Sequence, residues 1–337
     1  MILKSVLSII LMVHVVFAEC TDVDYSAELK EVRLQGDMEW CYANSAADMI
    51  SYKFRHQWNG FQASAIWIAL LYNLKQYSTQ TRNYIFLGGG DQKFAMSYAG
   101  EFDFSCPRQL DNILMNGGLK TTLKQKFQMV TILKKLYDES GKSEDALKAY
   151  QKQIQILRSQ KSIISLLSDQ QLADSLRRDI NSAVLEMAKQ VCQPFKNKMP
   201  MKLTPEMFGR YREDQTSYYD EFSRKWVRSR PDLIKMIDRQ LTDNKNIVGI
   251  DYMIKLIGRD PYDTSSHSSV IVGRRQVNGQ CQYKIRNSWG PGCSIKDGNQ
   301  VYPRYGKNVV ACLENGHVWV SAANLRANLT DIAYIRP

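Results

Sequence analysis

Several common chemistries find no support in this chain of 337 residues. Close Cys/His spacing of the C-x-x-C kind is absent, which excludes the usual structural zinc site, and no metal or organic cofactor is expected. The chain carries a net charge of +11 but no long basic run. Dispersed lysines of this kind keep a protein soluble, so no nucleic-acid partner is expected. The Gly-rich stretch LGGGDQKFAMSYAG, 87–100, lacks the Lys-Ser/Thr ending of a phosphate loop. The apolar run at the N-terminus is too short for a comfortable membrane span. Proline is missing and glycine nearly so between residues 119 and 192.

What is present begins with an export signal. Residues 1–18, MILKSVLSIILMVHVVFA, have a positive start at Lys4, an apolar core, and small residues before the expected cleavage point. His14 falls inside this segment and has no role after cleavage. The mature protein is expected to be secreted or periplasmic, with no stable membrane span. Cys20 follows no lipoprotein-type box. An exported chain meets an oxidising compartment. With Cys41 set aside as a free thiol, Cys20, Cys106, Cys192, Cys281, Cys293 and Cys312 fit three disulfides, whose pairing the sequence leaves open.

The rest of the chain is organised around QGDMEWCYANSAADMI, residues 35–50. After an acidic bend it becomes a run of good helix formers, which places Cys41 at a helix start. Free N–H groups and the positive end of the dipole favour an anion there. A thiol in such a place ionises more readily, and the thiolate is the nucleophile. Two further segments bear on it. In SSHSSVIVGRR, His267 stands just before an apolar run that reads as a strand. In YKIRNSWG, Asn287 closes a second strand.

Cysteine, histidine and asparagine in this order and context resemble the papain-like cysteine peptidases. Gln35, six residues before Cys41, makes the likeness specific. The resemblance implies four catalytic residues. Cys41 attacks, and His267 as imidazolium holds the thiolate and protonates the leaving group. Asn287 orients the ring, and Gln35 shares the oxyanion hole with the Cys41 backbone N–H. It also implies substrate contacts at Gly89 and Gly90, where missing side chains admit a peptide backbone, with Ala95 following. Trp289 then shields the His-Asn bond from water. His56 reads as a surface residue and His317, which breaks the expected order, as structural.

Departures accompany the likeness. The family's cysteine shortly before the nucleophile is replaced by the Asp37-Met38-Glu39 bend, whose carboxylates oppose thiolate formation. About sixteen residues separate the expected cleavage point from Gln35, too few for a folded inhibitory propeptide. Residues 119–192 show apolar spacing of helical period: Leu123, Phe127, Val130, Leu133 and Leu136; Leu147, Tyr150, Ile154 and Leu157; Leu172, Leu176, Ile180 and Val184. ESGKSED, with Ser143 as a cap, breaks the run. This segment reads as an inserted helical hairpin or bundle, either a packed accessory or a lid.

The expected fold is therefore α+β, papain-like and two-lobed. Residues 19–118 form a helical lobe, 119–192 the insertion, and 193–337 a β-rich lobe. Within the last, 193–230 reads as loop and short helix. PDLIKMIDRQLTDNK, 231–245, is an amphipathic helix with Pro231 at its start, and NIVGIDYMIKL, SSVIVGRRQV, CQYKIRNSW and HVWVSAANL are strands. The expected activity is peptide-bond hydrolysis through an acyl-enzyme on Cys41, with a polypeptide substrate and room for a proteinaceous inhibitor. The alternatives are a transpeptidase or cell-wall peptide hydrolase with the same residues, or a binding protein in which they are idle. Asn328-Leu329-Thr330 is a glycosylation sequon.

Overall fold

The computed structural model describes residues 20–36, 39–77, 89–116, 123–159, 163–221, 223–297 and 300–336. The expected signal segment and the Asp37-Met38 pair lie outside them. The first helix, α1 (Cys41–Lys53), begins at the residue expected from the sequence. Ala43, Ala46 and Ala47 are fully buried, so α2 (Ala65–Tyr77) and α3 (Gln92–Gly100) approach it closely, and Ile50 fills the same face. Asp111, in α4 (Gln109–Asn116), caps α2 from outside. Its carboxylate accepts from the Ser64 hydroxyl at 2.5 Å and from the N–H groups of Ala65 and Ile66 at 2.9 and 3.2 Å.

Four helices occupy the stretch expected to be a hairpin or bundle: α5 (Leu123–Ser140), α6 (Glu144–Ser159), α7 (Asp169–Leu176) and α8 (Ile180–Cys192). Ser143 caps α6, accepting from the Ala146 N–H at 3.1 Å. Ser168 and Gln171 cap α7 reciprocally. Of the expected apolar stripe, Val130, Leu133, Leu157, Leu172, Leu176, Ile180 and Val184 are buried. Leu147 is 41% exposed, contrary to expectation, because α6 packs mainly on α5 and leaves its first turns to solvent. The side chains of Leu123 and Phe127 lie outside the described residues.

The second half builds an antiparallel sheet of eight strands. They are β1 (Val23–Asp24), β2 (Phe208–Arg212), β5 (Val248–Met253), β6 (Ser266–Val277), β7 (Gln280–Arg286), β10 (Val309–Cys312), β11 (His317–Ser321) and β12 (Leu329–Ile335). The order is β10-β11-β7-β6-β5-β12-β2, with β1 added along β6. Two separate hairpins pair β3 (Tyr218–Asp220) with β4 (Lys225–Val227), and β8 (Ser294–Asp297) with β9 (Gln300–Pro303). Helices α9 (Leu233–Thr242) and α10 (Ala322–Asn328) pack on the sheet.

Three expectations are corrected here. The 193–230 segment contains β2, a full member of the sheet beside β12, whose charged FGRYR sequence hides its two buried aromatics, Phe208 and Tyr211. The helix after Pro231 starts at Leu233, because Asp232 caps it by accepting from the Lys235 N–H at 3.2 Å; the proline stands before the cap. HVWVSAANL is a strand only to Ser321, whose hydroxyl then caps α10 through the Asn324 N–H at 3.1 Å.

Strand β6 serves two cores because its side chains alternate. Val270 and Val272 join the core shared with α1, α2, α3 and α8. Ile271 joins the core formed with Ile237 and Leu241 of α9 and Leu325 of α10. The architecture is α+β, with a helical layer on one face of the sheet and a smaller apolar core on the other. Three disulfides fix the pairing: Cys20–Cys281, Cys106–Cys192 and Cys293–Cys312. Among the described residues no helix is long and apolar enough to cross a membrane.

Candidate active site

The start of β6 lies where the helical layer meets the sheet. Ser268 meets the Cys41 thiol at the start of α1 through its backbone and side chain, and the His267 ring beside it packs on Tyr252. His267 pairs across the sheet with Tyr252 and Ser268 with Asp251, both on β5. Asn287 follows directly on β7. Its Oδ1 lies 2.8 Å from His267 Nε2 and accepts the Ser269 hydroxyl at 3.3 Å. With Oδ1 accepting, Nε2 carries the proton and Nδ1 keeps its lone pair.

Aromatic rings close around the imidazole. Trp289 tilts against it at 5.2 Å between ring centroids, and Tyr252 meets it edge-on at 5.6 Å. Tyr305 stacks on Trp289 at 5.7 Å. His267 is 4% exposed and Asn287 fully buried. Burial lowers the His267 pKa to about 4, against the hydrogen bond to Asn287, which favours the charged ring. Burial likewise raises the Tyr305 phenol, partly offset by the nearby Asn287 amide.

Gln35 reaches this group from the other end of the chain. Its N–H donates to the Ser288 carbonyl at 2.8 Å, and its side-chain Oε1 accepts from the Ser288 hydroxyl at 2.9 Å. Leu34 bridges to Trp289, and the Gly290 N–H donates to the Arg33 carbonyl at 3.1 Å. The 33–35 segment is thus stitched along 288–290. Gln35 and Trp40, the residue before Cys41, line one cavity.

Cys41 is in no disulfide and is buried. Burial raises its pKa; hydrogen-bond contacts with the Ser268 backbone and side chain and with the Tyr42 N–H act the other way. The sulfur therefore sits at the residue next to His267. A third influence was not foreseen from the sequence: the charge of Asp251, which raises the thiol further. Glu39 is exposed, Asp37 lies outside the described residues, and Asp251 supplies its charge from β5. Asp251 accepts a short hydrogen bond from the Ser268 hydroxyl. Its own pKa is pushed to about 7, by burial first and then by the charge of Asp331. A lone acid inside the apolar run NIVGIDYMIKL was the one sequence signal that could have drawn attention to it.

Gly89 and Gly90 are both exposed. Gly89 has φ +78 and open space where a Cβ would stand; its N–H donates to the Glu39 carbonyl at 2.9 Å, next to the Cys41 helix. A Cβ on Gly90 would meet the Tyr42 ring at 2.7 Å, so packing as well as access demands glycine there. Gly90 also lines a charged concavity with Ser266, Asp251, Asp331, Asp91 and Arg210. Ala95 is buried inside α3. His56 is exposed, and His317 is held through Nδ1 by Asn315 at 2.9 Å. Among the described residues no three His, Cys, Asp or Glu side chains converge as for a metal ion.

No protein-family model matches the chain, and no curated protein matches it. Similar solved structures include pepw from Lactobacillus rhamnosis, with 12% identity over 94% of this chain and 82% of that one, at a TM-score of 0.45. They include digestive procathepsin L 3 of Tenebrio molitor larval midgut, with 15% identity over 94% and 69%, at 0.42. A third is the Amb a 11 cysteine protease of ragweed pollen in its proform, with 13% identity over 95% and 67%, at 0.42. Likeness at this level carries no argument; the distances within this chain do.

Proposed function

We propose that the protein is a papain-like cysteine peptidase, exported from the cell, which hydrolyses polypeptides through an acyl-enzyme on Cys41. The observation that carries this is the 2.8 Å contact between His267 Nε2 and Asn287 Oδ1, one residue along β6 from the contact of Ser268 with the sole free cysteine among the described residues. The three disulfides fit an oxidising compartment.

The chemistry is set by the atoms left available. Asn287 fixes the ring with Nδ1 unprotonated, and Nδ1 takes the thiol proton. Burial opposes each charge alone, so thiolate and imidazolium form together, each offsetting the other. The thiolate adds to the scissile carbonyl carbon. The negative charge on the carbonyl oxygen meets the Gln35 amide N–H₂, freed by the Oε1–Ser288 bond, and the Cys41 N–H at the helix start. The imidazolium returns its proton to the leaving amine, and the C–N bond breaks. Water, deprotonated by the neutral ring, then releases the acid and restores the thiol.

The experiment is hydrolysis of a denatured protein, with product masses read by mass spectrometry, by the wild type and by Cys41→Ala. The variant should fold normally and cut nothing; turnover retained by it would falsify the assignment.

A second reading has one observation in its favour. Burial pushes the Cys41 pKa up and the His267 pKa down, which suits an idle site in a binding protein. Alkylation of Cys41 against pH separates the two. Rapid reaction well below pH ~8.5 marks an activated thiol, and slow reaction marks the binding protein.

A further inference from the structure

Beneath the candidate site lies a charge cluster that catalysis does not use. Asp48 stands on α1, seven residues after Cys41, or about two turns along the helix. Its Oδ1 accepts from Arg33 Nε at 2.7 Å and its Oδ2 from Arg286 Nε at 2.8 Å. Arg286 also donates to the carbonyls of Lys30 and Glu31 at 2.8 and 2.6 Å. Arg33 reaches Asp111, the cap of α2, at 3.4 Å. Arg33, Asp48 and Arg286 are 3%, 4% and 2% exposed.

Such a cluster is a poor way to gain stability. Removing charges from water costs as much as their attraction returns, and an apolar set of equal volume commonly does as well. What ionic contacts supply that apolar ones do not is a fixed direction at each oxygen. The three partners here sit beside the three segments that carry the site. Asp48 shares a helix with Cys41, Arg286 immediately precedes Asn287, and Arg33 lies two residues before Gln35. Along the chain these segments are far apart; Asp48 and Arg286 are separated by 238 residues.

We propose that Asp48 is a positioning residue, whose two carboxylate oxygens hold the nucleophile helix, the end of β7 and the segment leading to Gln35 in one register. The proposal rests on the peptidase reading above. If one oxygen loses its partner, α1 shifts against β7 and the sulfur moves relative to the imidazole. Displacements of this size act on the rate of the chemical step far more than on substrate affinity.

The test uses the full chain with Asp48→Asn, Arg286→Lys and, as a control, Asp220→Asn. The control breaks the ion pair of Asp220 with Arg239 at 3.2 Å, outside the site. Three quantities are read: kcat and KM on a peptide substrate, the rate of Cys41 alkylation by iodoacetamide, and the thermal midpoint. Asp48→Asn should lower kcat ~10–100-fold with KM nearly unchanged, and slow alkylation several-fold. Asp220→Asn should lower the midpoint alone. Should Asp48→Asn fail to fold, Arg286→Lys serves instead, since it keeps the charge but loses the forked contact to residues 30 and 31; the same kcat loss is expected. Rates equal to wild type, or falling no further than in the control at equal loss of midpoint, overturn the proposal. If the wild type cleaves no peptide, the function fails separately, and the alkylation rates still decide whether Asp48 positions the thiol.

Discussion

The Gln35 side chain is turned by Ser288: its Oε1 accepts the Ser288 hydroxyl at 2.9 Å, which leaves the amide nitrogen as the outward donor. The same two residues are joined through the main chain at 2.8 Å, so the orientation is held twice. If this donor serves a developing oxyanion, Gln35→Ala should reduce kcat by ~10²–10³ with little change in KM. Ser288→Ala, which only releases the orientation, should cost less. Steady-state kinetics on one peptide substrate measures both, and a KM effect without a kcat effect would argue against an oxyanion role.

Asp251 sets a pH dependence of definite sign. Its folded pKa of about 7 lies above the ordinary 3.8. The folded state therefore holds the proton more tightly, and the stability this contributes is lost as pH rises from about 4 to about 7. His267 works the opposite way: with its pKa lowered to about 4, its contribution is lost as pH falls from 6.5 toward 4. Asp251→Asn should leave the second effect dominant and stabilise the fold at pH ~8 by about 1–3 kcal/mol. Asp331, raised to about 6, retains part of the original slope. Thermal melts at pH ~5 and ~8 test this; an unchanged difference between them would sink it. The same variant should shift the Cys41 alkylation profile to lower pH, because a charge that raises the thiol is gone.

Gly90 separates packing from substrate access. A methyl group there would meet the Tyr42 ring at 2.7 Å. Gly90→Ala should cost roughly 1–3 kcal/mol of stability, the usual range for forced overpacking. In Tyr42→Leu, which removes the ring, the added cost of Gly90→Ala should shrink. A cycle of the four proteins in urea gives the coupling; if activity falls equally in both backgrounds, close approach of substrate is the stronger constraint.

The Cys106–Cys192 bond closes a loop that includes α4 through α8, with a sequence separation of 86. Replacing both cysteines by alanine should remove about 2–4 kcal/mol, by the chain-entropy argument for long loops. Urea midpoints under oxidising conditions measure the loss. The alkylation rate of Cys41 should barely change, since the bond ties α8 to the segment before α4, and neither cysteine belongs to α1, β6 or β7.

The candidate site is legible in the sequence to uneven degrees, for a physical reason in each case. Cys41 at a helix start, His267 at a strand start and Asn287 after a strand depend on local pattern, which a chain displays in order. The apolar SSVIVGRR run reveals β6 by period and composition. By contrast β2 escapes notice, because a short strand at the sheet edge needs only two buried aromatics, and its Arg210 is placed by Asp91 and Asp331, partners far along the chain. Spacing assigns Leu147 to a buried face, but spacing tells only which residues share a face, not whether anything covers it.

By itself the sequence determined the α+β alternation of texture, the place of Cys41 at the start of α1, and an odd cysteine left over from three pairs. These come from short-range periodicity and from counting. The tertiary structure alone decided which cysteines join, that Asp251 bears on the thiol, and that Asp48 clasps two arginines under the site. Each of those is a meeting of side chains many residues apart, where burial removes the water that would otherwise screen or satisfy them, and no local pattern encodes which distant partner takes water's place.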